Sequence, residues 1–224
     1  MSSITLTSAE KQKAKKLLAD YFSQHHTQNH LNNVTQEGQH QQRFFRKVLL
    51  EDGRPDDKKF LEFLQDEIWA IHESLHLGLL SNIVQNNSVN EIREAFKTML
   101  SNVAHNSNPD EVLNLGRRPY LGISILTEAL GKVYPDRFAI KNKRSEWGAY
   151  FILSVSPDYI ENQMTYADFI NISAQIWDLI VEEYHQREFN YDSDRRLWYV
   201  DSFYLWIYER PQTKQIMKTL GYVI

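Results

Sequence analysis

Phe60, Leu64, Ile68, Ile71, Leu75 and Leu79 recur at intervals of 4, 4, 3, 4 and 4 residues. That is the period of one face of an α-helix, and it is the strongest folding signal in this 224-residue chain. The same spacing appears elsewhere. Ile92, Ala95, Phe96 and Met99 follow Ser88, a good N-cap with Glu91 three positions on. Ile123, Leu126, Leu130 and Val133 form a stripe within Gly122 to Tyr134, which Pro135 should end. Phe169, Ile172, Ile176, Trp177 and Ile180 do the same within Tyr166 to Tyr184, and Leu197 to Tyr208 is an aromatic-dense helix. Ser8 to Phe22, Arg43 to Leu50 and a short piece opening at Asn108-Pro109-Asp110 read as further helices. No alternating apolar run is bounded by a hairpin turn signal. The expectation is an all-α fold, a single compact unit of about nine helices without internal repeats.

Organisation along the chain follows composition. Residues 1–42 read as an N-terminal helix and a polar connector, and 43–224 as the all-helical domain. The connector, Ser23 to Gln42, is rich in Gln, Asn and His and carries His25, His26, His30 and His40, so a metal-binding tract is its alternative reading. Gly53-Arg54-Pro55-Asp56 is a turn signal.

Several function classes fall away at once. The chain has no cysteine, which removes disulfide scaffolds, thiolate zinc sites and cysteine nucleophiles. No window approaches the ~18 apolar residues of a membrane helix, and Met1-Ser2-Ser3-Ile4 does not open a secretory signal, so a cytoplasmic protein without a membrane partner is expected. A net charge of −4 argues against a uniformly basic nucleic-acid coat. The charge is unevenly spread, however. Arg117, Arg118, Lys132, Arg137, Lys141, Lys143 and Arg144 fall in one stretch with only Glu128 and Asp136 against them. Such a patch can attract phosphates even on an acidic body, because exposed charges are screened beyond ~8–10 Å.

Two segments carry chemistry. His72-Glu73-Ser74-Leu75-His76 matches H-E-x-x-H. On a helix the two histidines share a face and can chelate zinc, with the glutamate as general base on metal-bound water. Glu91 and Glu94, 15 and 18 positions after His76, stand where a third ligand would come. Against this, zincin helices lie on a β-sheet, and no upstream strand is visible. The second segment runs from Leu113 to Ser145: helix, turn with Arg117-Arg118-Pro119-Tyr120-Leu121-Gly122, helix, a stop at Pro135, then a basic strap. A helix opening at Gly122 offers free backbone N–H groups and its positive dipole end to a phosphate.

Gly122-Ile123-Ser124, Leu126-Thr127-Glu128, Tyr134-Pro135-Asp136-Arg137-Phe138-Ala139-Ile140 and Asn142-Lys143-Arg144 resemble the helix-hairpin-helix-related region of McrBC-type, modification-dependent restriction proteins. The resemblance runs from Asn90 to Tyr208. It implies an all-helical, non-catalytic nucleic-acid-binding or target-recognition module of a defence system. It also implies DNA as a partner and an AAA+ GTPase as an associated subunit or domain. Arg117, Arg118, Gly122, Ser124, Lys141, Lys143 and Arg144 would make the contacts, and no cofactor is implied. The turn departs from the usual glycine-hydrophobic-glycine pattern. Asn142 stands where a DNA glycosylase would place its aspartate, and no Walker A motif accompanies the region. Two alternatives stay open: a zinc-dependent metallopeptidase using His72, His76 and Glu94, and a protein-interaction domain using the acidic, aromatic C-terminal half. Trp198, Tyr199, Tyr204, Trp206 and Tyr208 there read as core, with base stacking as the competing role. Asp192, Asp194 and Asp201 lack the spacing of an EF-hand loop.

Overall fold

The computed structural model describes residues 4–25, 28–51, 55–103 and 108–222. Among them are twelve α-helices, a few short 3-10 or π turns and no β-strand, so the chain is all-α. The helices are α1 (Ser8–His25), α2 (Gln28–Leu49), α3 (Asp57–Glu67), α4 (Trp69–Glu73), α5 (Leu79–Asn86), α6 (Val89–Ser101), α7 (Pro109–Gly116), α8 (Ile123–Val133), α9 (Lys143–Ile152), α10 (Tyr166–Gln186), α11 (Arg196–Glu209) and α12 (Pro211–Thr219). No helix of the described residues is long and apolar enough to cross a membrane.

Local chemistry sets most boundaries as the sequence predicts. Ser88 and Glu91 form a reciprocal capping box on α6. Asn108 caps α7, with Pro109 at the first position, where its missing N–H costs nothing. Thr165 caps α10, and α8 ends at Val133, two residues before Pro135.

Two large apolar cores sit side by side, with a small third cluster of Trp147, Tyr208 and Met217 among the described residues. One gathers α1, α9, α10 and α11 around Leu18, Ile176, Ile180 and Phe203. The other gathers α3 to α8 around Phe60, Ile71, Phe96 and Leu126. The α9–α11 packing in the first is unusually close. A Cβ on Gly148 would lie 2.6 Å from the Cβ and 2.7 Å from the Cα of Tyr204.

The polar tract expected to be a connector is helical throughout its described residues. Residue 42 lies inside α2, which places Leu31 in the first core and Phe45 and Leu49 in the second. Leu31, Gly38 and Phe45 keep a helical register through the glutamines, and Gly38 lets the Trp198 ring approach to 3.2 Å from where a Cβ would be. A few apolar residues at the right spacing outweigh the polar average, because burial rewards a face, not a composition. Of the four histidines in that tract, His40 is exposed against Phe44 and His26 lies outside the described residues, as do Gly53 and Arg54 of the expected turn.

The most periodic segment is also interrupted. Phe60 to Leu79 folds as α3, α4, a 3-10 turn at Leu75–Leu77 and the start of α5. Ile68 is extended (φ −99°, ψ 104°), and Gly78 adopts the left-handed conformation (φ 70°). The cause of the first break is tertiary. The Glu128 carboxylate of α8 accepts from the backbone N–H groups of Trp69 (2.9 Å) and Ala70 (3.3 Å), capping a new helix start. Extra breaks of this kind raise the helix number above the expected nine.

Candidate functional site

The helix start singled out from the sequence is open. Gly122 precedes α8 with no side-chain cap, is exposed, and no atom lies within 4 Å of where its Cβ would stand. The chain reaches it from α7 by a tight turn in which the Leu121 N–H donates to the Arg118 carbonyl at 3.0 Å. Within that turn Tyr120 is held at φ 63° and is 52% exposed. A left-handed non-glycine residue is strained by roughly 1–3 kcal/mol and persists only where its surroundings fix it. Here the Asn87 Nδ2 donates to the Pro119 carbonyl at 2.9 Å, pinning the turn.

The start of α8 faces a hollow of about 840 Å³. Trp69, Tyr120 and Tyr208 supply aromatic wall, Gly122 to Ile125 supply the helix end, and Lys143 supplies a cation. Arg117 and Arg118 are exposed on the turn that leads in. Arg118 is steadied by donating Nη1–H to the Arg117 carbonyl at 2.7 Å. Arg117, Arg118, Gly122, Ser124 and Lys143 are thus brought to one region.

The rest of the expected strap is not a surface feature. Lys141 is 1% exposed. Its Nζ donates to the Met164 carbonyl at 3.1 Å and faces the Glu146 carboxylate at 3.9 Å. Burial holds the Lys141 amine below its ordinary range, and it cannot reach a phosphate. Asn142 is buried as the N-cap of α9. Arg144 turns inward, its guanidinium 4.3 Å from the centroid of the Trp69 ring. Three basic residues in four positions read as a cationic strap. The helix start at Asn142 points them in different directions: Lys141 is buried, and Arg144 is half-buried against Trp69.

The H-E-x-x-H reading fails on geometry. His72 lies in α4 and His76 in the following 3-10 turn, so the four-residue spacing no longer places both on one helical face. Glu73 and His76 line the hollow beside α8, whereas His72 lines a different one. Glu91 is committed to the α6 cap, where it accepts from the Ser88 N–H and hydroxyl at 2.7 Å each, while Glu94 lines neither hollow. The described residues contain no group of three or more His, Cys, Asp or Glu able to hold a metal. Asp192 caps the turn before α11 and pairs with Arg195. Among the C-terminal aromatics Tyr199 and Tyr204 are core residues, Tyr208 is buried with an edge on the hollow beside α8, and Trp198 and Trp206 are half-buried.

Composition gave no hint of the second hollow, about 340 Å³, beneath Trp69. Trp198, Gln41, Lys132 and Arg144 line it together with Glu128. Glu128 is 1% exposed and binds the Lys132 Nζ at 3.0 Å. Nearby, burial raises the Asp201 carboxyl from its ordinary 3.8 to about 6, with Arg144 and Lys132 opposing the rise and Glu128 adding to it. Burial likewise raises Glu146 from 4.5 to about 7 against the pull of Lys141. Both carboxyls bind their protons more tightly folded than unfolded. Their stabilisation is therefore present below the unfolded values of 3.8 and 4.5 and is lost as pH rises through about 6 and about 7. Melting temperature is expected to fall between pH 5 and pH 8, and Glu146→Gln to flatten part of that fall. An unchanged slope in the variant would contradict the assignment.

Comparisons with protein-family models, with curated proteins and with solved structures return no match for this chain.

Proposed function

We propose that the chain is a non-catalytic nucleic-acid-binding module that takes phosphates and an adjacent base at the start of α8. The observation that carries this reading is an uncapped, sterically open helix start facing an aromatic-walled hollow, with Lys143 lining it and Arg117 and Arg118 on the approach. Bare N–H groups and guanidinium groups hold phosphate oxygens, and exposed aromatic rings stack bases without selecting among them. The strained, exposed Tyr120 suits the stacking role, since a turn serving stability alone would do better with glycine there. The resemblance to modification-dependent restriction proteins fits a target-recognition role in a defence system, with DNA as the ligand and an AAA+ GTPase as the partner. The acidic remainder of the surface restricts binding to this one face.

The test is salt-dependent binding. Fluorescence anisotropy with labelled duplex and single-stranded DNA should show affinity falling linearly in log–log form with salt. Each of Arg117→Ala, Arg118→Ala and Lys143→Ala should reduce the slope by about 1 where that residue meets a phosphate. Lys141→Met should leave the slope unchanged. Tyr120→Gly should weaken binding while raising the melting temperature. Absence of salt-sensitive binding to either DNA form would sink the proposal.

A further inference from the structure

Two exposed apolar edges of this chain match one another. The hollow beside α8 is rimmed by Leu77, 69% exposed, and by Tyr120. Leu79 and Ile123 continue that lining and are only half-buried. The other edge belongs to α12. Thr213 and Met217, four positions apart, are buried there, with Met217 in one cluster with Trp147 and Tyr208. Ile216 and Leu220 adjoin the same stripe at helical spacing, yet they are 38% and 49% exposed. The apolar stripe of α12 is wider than the fold covers.

Charge distinguishes the two edges. Lys143 lines the hollow and Arg117 and Arg118 are exposed on its approach, against one lining acid, Glu73. Beside the end of α12 the sign is reversed. Asp158 and Glu161 are exposed, and Glu161 lines the cleft that Tyr222 closes two positions after Leu220. The lysines of α12 do not cancel them. Lys218 falls on the opposite side of the helix from Ile216 and Leu220, and Lys214 is engaged by Glu209 and the Tyr208 ring. The edges also adjoin. Tyr208 lines the hollow and shares a cluster with Met217. On α9, Lys143 lines the hollow and Glu146, three positions on, lines the cleft. An apolar-basic edge beside an apolar-acidic edge makes a self-complementary surface, the condition for pairing about a twofold axis.

We propose that this face joins two copies of the chain in a closed twofold dimer, the exposed edge of α12 from each copy seated in the hollow of the other. Ile216 and Leu220 pack against Leu77 and Tyr120, as an amphipathic helix lies in an apolar groove. Asp158 and Glu161 meet Arg117, Arg118 and Lys143. The occupant is a second copy because the chain itself carries both halves of the match. Pairing covers the face assigned above to nucleic acid, so the two partners exclude one another, but it does not depend on nucleic-acid binding.

The experiment is analytical ultracentrifugation of the full chain without nucleic acid, across a concentration series at low and at high salt. Mass should rise to twice that of the chain and no further, with the dissociation constant about tenfold or more higher at high salt. Ile216→Asp should melt as a folded protein and stay monomeric. Arg118→Glu and Glu161→Arg should each weaken pairing about tenfold or more, and they serve where Ile216→Asp is unstable. An equimolar mixture of those two variants should recover most of the loss, because each supplies the charge the other lacks. The proposal is overturned if the parent is monomeric at ~1 mM, if its mass passes two copies, or if the mixture pairs no better than either variant alone. A monomeric parent that binds DNA in a salt-sensitive way removes the dimer and leaves the nucleic-acid reading standing. A dimer without such binding does the reverse.

Discussion

Gly148→Ala is expected to be among the most damaging single substitutions in the chain, lowering stability by ~3 kcal/mol or preventing folding. The added methyl would stand 2.6–2.7 Å from the Cβ, Cα and Cδ1 of Tyr204. Two of those atoms belong to the backbone or the root of the side chain, so no rotamer change clears them. Tyr204 itself is fixed by the core, 1% exposed and with its hydroxyl 3.4 Å from that of Ser173. Relief would require α9 and α11 to move apart, opening voids along their shared face. Urea denaturation of the variant should show a lower midpoint with an unchanged m-value. An unfolding free energy within about 0.5 kcal/mol of the parent's would show that the helices are not so closely packed. Gly122→Ala is the internal control: its Cβ meets nothing within 4 Å, so it should be near neutral for stability.

Glu128→Ala should cost about 3–5 kcal/mol. It removes the cap from the Trp69 and Ala70 N–H groups and strands the Lys132 ammonium, whose side chain is only 11% exposed. Part of the lysine's need is met elsewhere, since its Nζ donates to the Glu67 carbonyl and lies 4.5 Å from the Phe45 ring centroid. Lys132→Met in the Glu128→Ala background should therefore recover some of the loss, because it removes a buried unpaired charge. Glu128→Gln separates the two roles, keeping an acceptor for the backbone while ending the ion pair. Thermal melts of the parent, Glu128→Ala, Lys132→Met alone and the double variant give the double-mutant cycle, with Glu128→Gln measured beside them. Additive losses would mean that the Glu128–Lys132 pair contributes nothing to stability.

The helical class, the long helices and several caps were legible in the sequence because each rests on local chemistry. Ser88 with Glu91 and Pro135 after Tyr134 act on neighbours within one turn. What could not be read were long-range polar commitments. Glu128 looked like a surface acid among cations, yet it breaks a helix 58 and 59 positions away in the chain. Lys141 looked like a phosphate ligand, yet it is held by Met164 and Glu146. The helix start at Gly122 was legible because its exposure follows from a glycine turn. The hollow it faces was not, since its walls come from α4, the loop before α8 and the end of α11. A motif written in sequence spacing, as at His72 and His76, keeps its meaning only while the helix beneath it is continuous.

Trp69 is the common partition of the two chambers, and one face of its indole already carries the Arg144 guanidinium. A smaller ring there would merge the compartments, release the arginine and alter both sets of walls in a single step. Substitution at this position is confined twice over, and neither chamber can be remodelled through it without disturbing its neighbour.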